Sequence, residues 1–240
     1  MIKIKLANII FKINNMFPFV EKLCSSYLVD SSSSYDEEIS PTLEEVKEEY
    51  RISEYKDGPK GYYESIVIYR LIALRLYKYK AFVLHGAVIK VDEDGFIFLA
   101  KSGVGKSTHI SLYQKHFKER CVVINGDKPL IKEEEDGFYA YGTPYNGKEG
   151  LGINDRVKIK GLCFLKRGLI NKTYPMSEED ISTYIFNQIL LPKNEEDYDI
   201  LISLLNKIIL DIKTIWLECN MEEEACKVSY KALGGMHYEN

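Results

Sequence analysis

No CxxC pair, no dominant charge sign and no apolar stretch of membrane-spanning length occurs in these 240 residues. Each absence removes a class of protein. The five cysteines, Cys24, Cys121, Cys163, Cys219 and Cys226, are scattered and odd in number, which argues against a disulfide framework and against a zinc site. They read as reduced, mostly buried thiols of a cytoplasmic protein. A net charge of -4, with basic residues interleaved among acids, leaves no footprint for nucleic acid. A membrane span needs roughly 20 apolar residues. The N-terminal stretch Leu6–Phe11 is far shorter, is followed by Lys12, Asn14 and Asn15, and lacks a small-residue cleavage site. Neither a membrane nor a nucleic-acid partner is expected. What remains is a chain that is 45% hydrophobic, enough for one large domain or one domain with an appendage.

Alternation and helical spacing divide the chain. Residues 1–28 read as one or two strands and a short helix, since Ile2, Ile4 and Leu6 alternate with Lys3 and Lys5. Asp30–Pro41, with five serines and four acids, reads as an exposed linker. Thr42 and Glu45 form a capping box opening a helix to about Glu54, and Asp57-Gly58-Pro59 breaks the chain. A boundary at 58/59 separates a small α+β segment from the rest. Tyr62–Tyr79 carries a wide apolar helical face. Phe82–Val91 reads as one strand, Asp92–Gly95 as a turn and Phe96–Leu99 as the returning strand. A helix over about 105–117 and a buried strand Cys121–Asn125 follow. A hairpin around Asp136-Gly137 and a strand over Val157–Leu165 come next. Helices over Ser177–Ile189 and Glu195–Ile209 and a strand over Lys213–Leu217 precede a last helix capped by Asn220. The pattern is an α/β fold with a mixed β-sheet.

Between the Phe96–Leu99 strand and the next helix stands Ala100-Lys101-Ser102-Gly103-Val104-Gly105-Lys106-Ser107-Thr108. This is the GxxxxGK[ST] pattern of a phosphate-binding loop, with alanine in place of the first glycine. Gly103 and Gly105 permit positive φ and close approach to an anion. Backbone N–H groups of the loop, Ser102 and Val104 included, would face phosphates at a helix N-terminus. Lys106 brings a cation to them, and Ser107, with Thr108 beside it, offers a hydroxyl to Mg2+.

Phosphoryl transfer also needs a carboxylate, to hold Mg2+ or to take the proton of the attacking hydroxyl. Asp127, after the apolar strand Val122-Val123-Ile124-Asn125, is the candidate. His85 lies in an apolar stretch, where residue type alone suggests a core position. His109, in the helix just after the loop, and His237, in the tail, are given no role. In the glycine-dense segment Tyr141–Gly152, Lys148 would clamp a phosphate and Glu149 would support a metal, although the same composition suits an ordinary surface connection.

His85-Gly86-Ala87, Ser102-Gly103-Val104-Gly105-Lys106-Ser107 and Asn125-Gly126-Asp127, in that order, resemble the HPr kinase/phosphorylase superfamily. More closely the chain resembles HPr-kinase-related proteins of Gram-positive bacteria, some of which serve peptide-modification clusters such as lasso-peptide pathways. The similarity runs over roughly residues 60–235. It implies the fold shared with phosphoenolpyruvate carboxykinase and phosphorylation of a serine hydroxyl with ATP and Mg2+. It also implies a peptide, small-protein or small-molecule acceptor, with homo-oligomers common among relatives. By motif, Lys106 and the loop glycines would hold phosphates, and Ser107 and Asp127 would hold the metal. Asp127 would also serve as base, and His85 would lie near the transferred phosphate. Three departures stand out: glycine at 126 where relatives carry a first acid, Gly147-Lys148-Glu149 before Gly150-Leu151-Gly152-Ile153 where a Glu and an Arg are usual, and Thr108 in place of an acid. A P-loop ATPase without an acceptor and a non-catalytic nucleotide-binding module stay open beside the kinase. Residues 1–80 are the candidate for acceptor recognition.

Overall fold

A computed structural model describes residues 1–101 and 103–235. The chain forms two compact units, Met1–Tyr79 and Lys80–Asn240.

In the first unit, β1 (Ile2–Leu6) and β2 (Ile9–Ile13) make an antiparallel hairpin. Its two turn residues, Ala7 and Asn8, both have positive φ, the conformation that matches strand twist in a two-residue turn. Three helices follow: α1 (Pro18–Leu23), α2 (Leu43–Ile52) and α3 (Lys60–Arg75). The capping box at Thr42 and Glu45 is present. Helix α3, grouped by sequence with the second part, packs on α1 and α2 in the first unit.

The Asp30–Pro41 linker needs correction. Within it, β3 (Glu37–Ile39) pairs in parallel with β2. Glu37 is buried, accepts a hydrogen bond from the Tyr79 hydroxyl at 2.7 Å and pairs with Lys78. Local composition reads as solvated, but the Glu37 charge is met by residues some forty positions away.

The second unit is built on a nine-stranded mixed sheet. The stretch expected as one strand is two, β4 (Ala81–Val83) and β5 (Ala87–Val91), interrupted at Leu84-His85-Gly86. The interruption arises because these three amides turn to loop carbonyls, those of Pro129 (3.1 Å), Gln188 (2.7 Å) and Asp127 (2.9 Å). Next come β6 (Asp94–Leu99), α4 (Lys106–Phe117), β7 (Cys121–Asn125) and the hairpin β8 (Leu130–Glu134) with β9 (Gly137–Tyr141). The long β10 (Arg156–Arg167) is followed by an edge strand the pattern did not show, β11 (Lys172–Pro175), too short and proline-ended to announce itself. Helices α5 (Glu178–Phe186) and α6 (Glu195–Asp211), strand β12 (Lys213–Cys219) and helix α7 (Glu224–Ala232) complete the unit. Helix α7 starts later than the sequence suggests. The Asn220 side chain accepts from the Glu222 amide at 2.9 Å, closing a turn ahead of the helix.

Strand β10 runs parallel to both β6 and β12, and β5 is antiparallel to both β6 and β7. Strands β7, β6, β10 and β12 therefore share one direction. Their carboxyl ends, Asn125, Leu99, Arg167 and Cys219, lie at one edge, where open α/β sheets form their clefts. On one face α4 and α7 close a core of Phe98, Ile110, Tyr113, Phe117, Leu217 and Tyr230. On the other, Ile185, Ile208 and Ile212 from α5, α6 and the residue after it meet Phe82, Ile97 and Leu162. Among the described residues, no helix is long and apolar enough to cross a membrane, and all five cysteines are free, four of them buried.

Candidate functional site

Strand β6 delivers the chain to Ala100, and α4 begins at Lys106. Between them Gly103 and Gly105 have φ of 78° and 120°. A Cβ at Gly103 would meet nothing within 4 Å, so backbone conformation and not space calls for glycine there. Ala100 is buried in the core and has no positive φ, which is why alanine serves at the first position of the pattern. Ser102 lies outside the described residues, as does His237. Ser107 and Thr108 are exposed in the first turn of α4, and Val104 packs on the core behind the loop.

The carboxyl end of β7 carries the acid. Asn125 is fully buried and organises this turn. Its side-chain oxygen accepts from the amides of Asp127 (2.9 Å) and Lys128 (2.7 Å). Its side-chain NH2 donates to the Thr143 carbonyl (3.1 Å) and hydroxyl (3.0 Å). The Thr143 hydroxyl in turn donates to the Lys128 carbonyl at 2.8 Å. The turn that aims Asp127 and the segment that follows β9 are thus one hydrogen-bonded piece. Sequence reasoning gave Asn125 no role, although an asparagine ending an apolar strand is a signal for such a turn.

Asp127 is three-quarters buried, with 22% of its side chain exposed. His85 Nε2 donates to its Oδ1 at 3.2 Å, and the Lys128 ammonium pairs with Oδ2. Burial by itself would raise the carboxyl's pKa, but the hydrogen bonds and charges of His85 and Lys128 outweigh it and hold Asp127 well below the usual carboxylate range. His85 is exposed in the gap between β4 and β5, not a core residue as its apolar neighbours suggested. Burial draws the Lys106 ammonium below the ordinary lysine value; the Asp127 carboxylate opposes this and the Lys128 charge adds to it. Lys106, Lys128, His85 and Asp127 therefore form one electrostatic group.

The structure explains the glycine at 126. Its amide donates to the Leu151 carbonyl at 2.9 Å. A Cβ there would stand 3.1 Å from the Asn146 oxygen and 3.2 Å from the Leu151 oxygen. Any side chain in this place would press on the two carbonyls, and the loop laid over it would have to give by a few tenths of an ångström. Gly147, with φ of 82°, backs onto Asp127, where a Cβ would lie 3.0 Å from the Asp127 Cβ. Lys148 and Glu149 are exposed just beyond and do not join the Asp127 network.

One residue without a role in the sequence reading touches the loop. Arg167, at the end of β10, donates from Nε to the Val104 carbonyl at 3.1 Å and from its terminal NH2 to the Gly103 carbonyl. Only the β10–β6 register reveals this contact. His109, in contrast, is buried beside Phe98, 3.2 Å from the Ser229 hydroxyl, and burial lowers its pKa to about 4.

Among the described residues, no three His, Cys, Asp or Glu side chains cluster as a metal centre would. One carboxylate and one serine hydroxyl suit Mg2+, which keeps several waters and binds through one or two carboxylates together with substrate phosphates. Both Asp127 oxygens are engaged, Oδ1 by His85 and Oδ2 by Lys128, so Mg2+ bound here would take the place of the Lys128 ammonium.

No family model matches the chain, and no curated protein matches it. Among solved structures, the chain is similar to the Hpr(Ser) kinase/phosphatase from Coxiella burnetii, at 10% identity over 51% of this chain and 86% of that one, with a TM-score of 0.29. At that overlap the likeness carries no argument about fold or chemistry, and both rest on the elements and residues above.

Proposed function

We propose that this protein is a phosphotransferase that binds ATP with Mg2+ and passes the γ-phosphoryl group to a serine hydroxyl on a peptide, small protein or small molecule. The observation that carries the reading is the Asp127–His85 pair at the end of β7, in electrostatic reach of Lys106 at the start of α4. Lys106 and the loop amides hold the phosphates, with Ser107 and Asp127 the residues that would hold Mg2+. When bound, the ion neutralises charge on the phosphate oxygens. The acceptor O–H bond breaks as its oxygen bonds to phosphorus and the bond from phosphorus to the β-bridging oxygen breaks. Asp127 orients the hydroxyl and receives its proton.

A carboxylate held this acidic is a weak base, and that is sufficient. In a loose transition state the hydroxyl loses its proton late, so placement outweighs basicity. His85 fixes the carboxylate's orientation through Oδ1. A cytoplasmic location, where ATP is supplied and thiols stay reduced, goes with this reading.

The test incubates the full chain with labelled ATP, Mg2+ and serine-containing peptides, read by mass spectrometry. Phosphoserine on an acceptor is the expected product. ADP and free phosphate formed at full rate without acceptor would make the protein an ATPase, and bound ATP left intact over hours would make it a binding module.

A further inference from the structure

We infer that the exposed apolar turn Leu169-Ile170, with Met221 on the adjoining turn, receives the base of the nucleotide whose phosphates the Ala100–Ser107 loop holds. This rests on the nucleotide-binding reading above. Single exposed apolar residues need no explanation. Here three large ones stand together, Leu169 93% exposed, Met221 78% and Ile170 59%. Such a patch marks a place for a ligand or partner.

The two turns are locked to one another. The Gly168 amide donates to the Cys219 carbonyl at 2.9 Å, and the Asn220 amide donates to the Asn171 side chain at 3.1 Å. The Asn220 side chain donates to the Leu169 carbonyl at 3.4 Å, and that of Asn171 to Glu224 at 3.3 Å. The apolar side chains are presented on a fixed backbone, so ordering them costs little on binding.

Their place in the sheet selects the occupant. Across the carboxyl ends the strands run β7, β5, β6, β10, β12. Asp127 follows β7, the glycine loop follows β6, and the apolar turns follow β10 and β12. The acid and the apolar patch therefore flank the loop on opposite sides. A triphosphate with its reactive end at Asp127 must send its nucleoside the other way, over β10 and β12. With strands about 4.8 Å apart, those ends lie about 5 and about 10 Å from β6. Arg167, two residues before Leu169, already joins this side to the loop through Gly103 and Val104. A purine or pyrimidine offers a flat apolar face, and the three aliphatic side chains offer its counterpart.

The experiment compares wild type with Leu169→Ser/Ile170→Ser/Met221→Ser, all exposed positions, and titrates each with MgATP and with inorganic tripolyphosphate. ATP affinity is expected to fall roughly tenfold, the scale of one lost stacking contact, while tripolyphosphate binding stays unchanged and reports an intact loop. Unchanged ATP affinity in the variant overturns the inference, including where an acceptor's KM rises instead, which would give the patch to the acceptor. Wild type binding tripolyphosphate as tightly as ATP also overturns it and leaves the loop reading standing. Wild type binding neither removes both.

Discussion

Asp127→Asn is expected to abolish phosphoryl transfer while nucleotide stays bound. Asparagine keeps the shape but loses one acceptor oxygen, so either His85 or Lys128 gives up its partner. It also cannot take the acceptor's proton. Loss of a positioned base costs on the order of 100- to 10,000-fold in rate. The phosphates rely on Lys106 and the loop amides, which the substitution leaves in place. Removing a negative charge near them relieves repulsion, so metal-free ATP binds no more weakly than to wild type. Turnover and equilibrium binding measured on the same sample check both halves. Unchanged turnover would remove Asp127 from the mechanism.

Acid is expected to destabilise the fold through His109. Its folded pKa of about 4 lies below the unfolded value of about 6.5. Above pH 6.5 neither state holds the proton, and the neutral ring stabilises fully. As the pH falls from about 6.5 to about 4, the unfolded chain takes up a proton the folded chain refuses. Stability therefore drops by about 3 kcal/mol across that window and levels off below it. The cause is burial beside Phe98 and Tyr113, with the Ser229 hydroxyl 3.2 Å from Nε2. His109→Phe should remove this slope in denaturant titrations at pH 7 and near pH 4. Asp127 acts in a lower window. Its depressed pKa contributes stability above the unfolded value of about 3.9, lost as the pH falls through the folded one. An undiminished slope in the His109 variant would assign the acid sensitivity elsewhere.

What the sequence made legible was local in origin. Alternation gave β1 and β2, and the capping box gave α2. The glycine pattern between an apolar run and a helical stretch gave the passage from β6 to α4. What stayed hidden depends on partners distant in the chain. Strand β3 lies in serine-rich, acidic sequence because Glu37 finds Lys78 and Tyr79. The break at His85 exists because Asp127, Pro129 and Gln188 supply carbonyls to three successive amides. The absence of an acid at 126 is legible as a departure, but the close approach of the Asn146 and Leu151 carbonyls there is not. Arg167 reaches the loop only because β10 pairs with β6 in the observed register. Periodicity reports which face of an element is apolar, and register reports which distant residues meet.

The glycine loop as a nucleotide site is tested most directly by calorimetric titration of MgATP into wild type and Lys106→Ala. Saturable binding of one MgATP per chain is expected for wild type. Losing the lysine's charge-assisted contacts should weaken it by roughly ten- to a hundredfold. No saturable binding by wild type, or equal affinity in the two proteins, would contradict it.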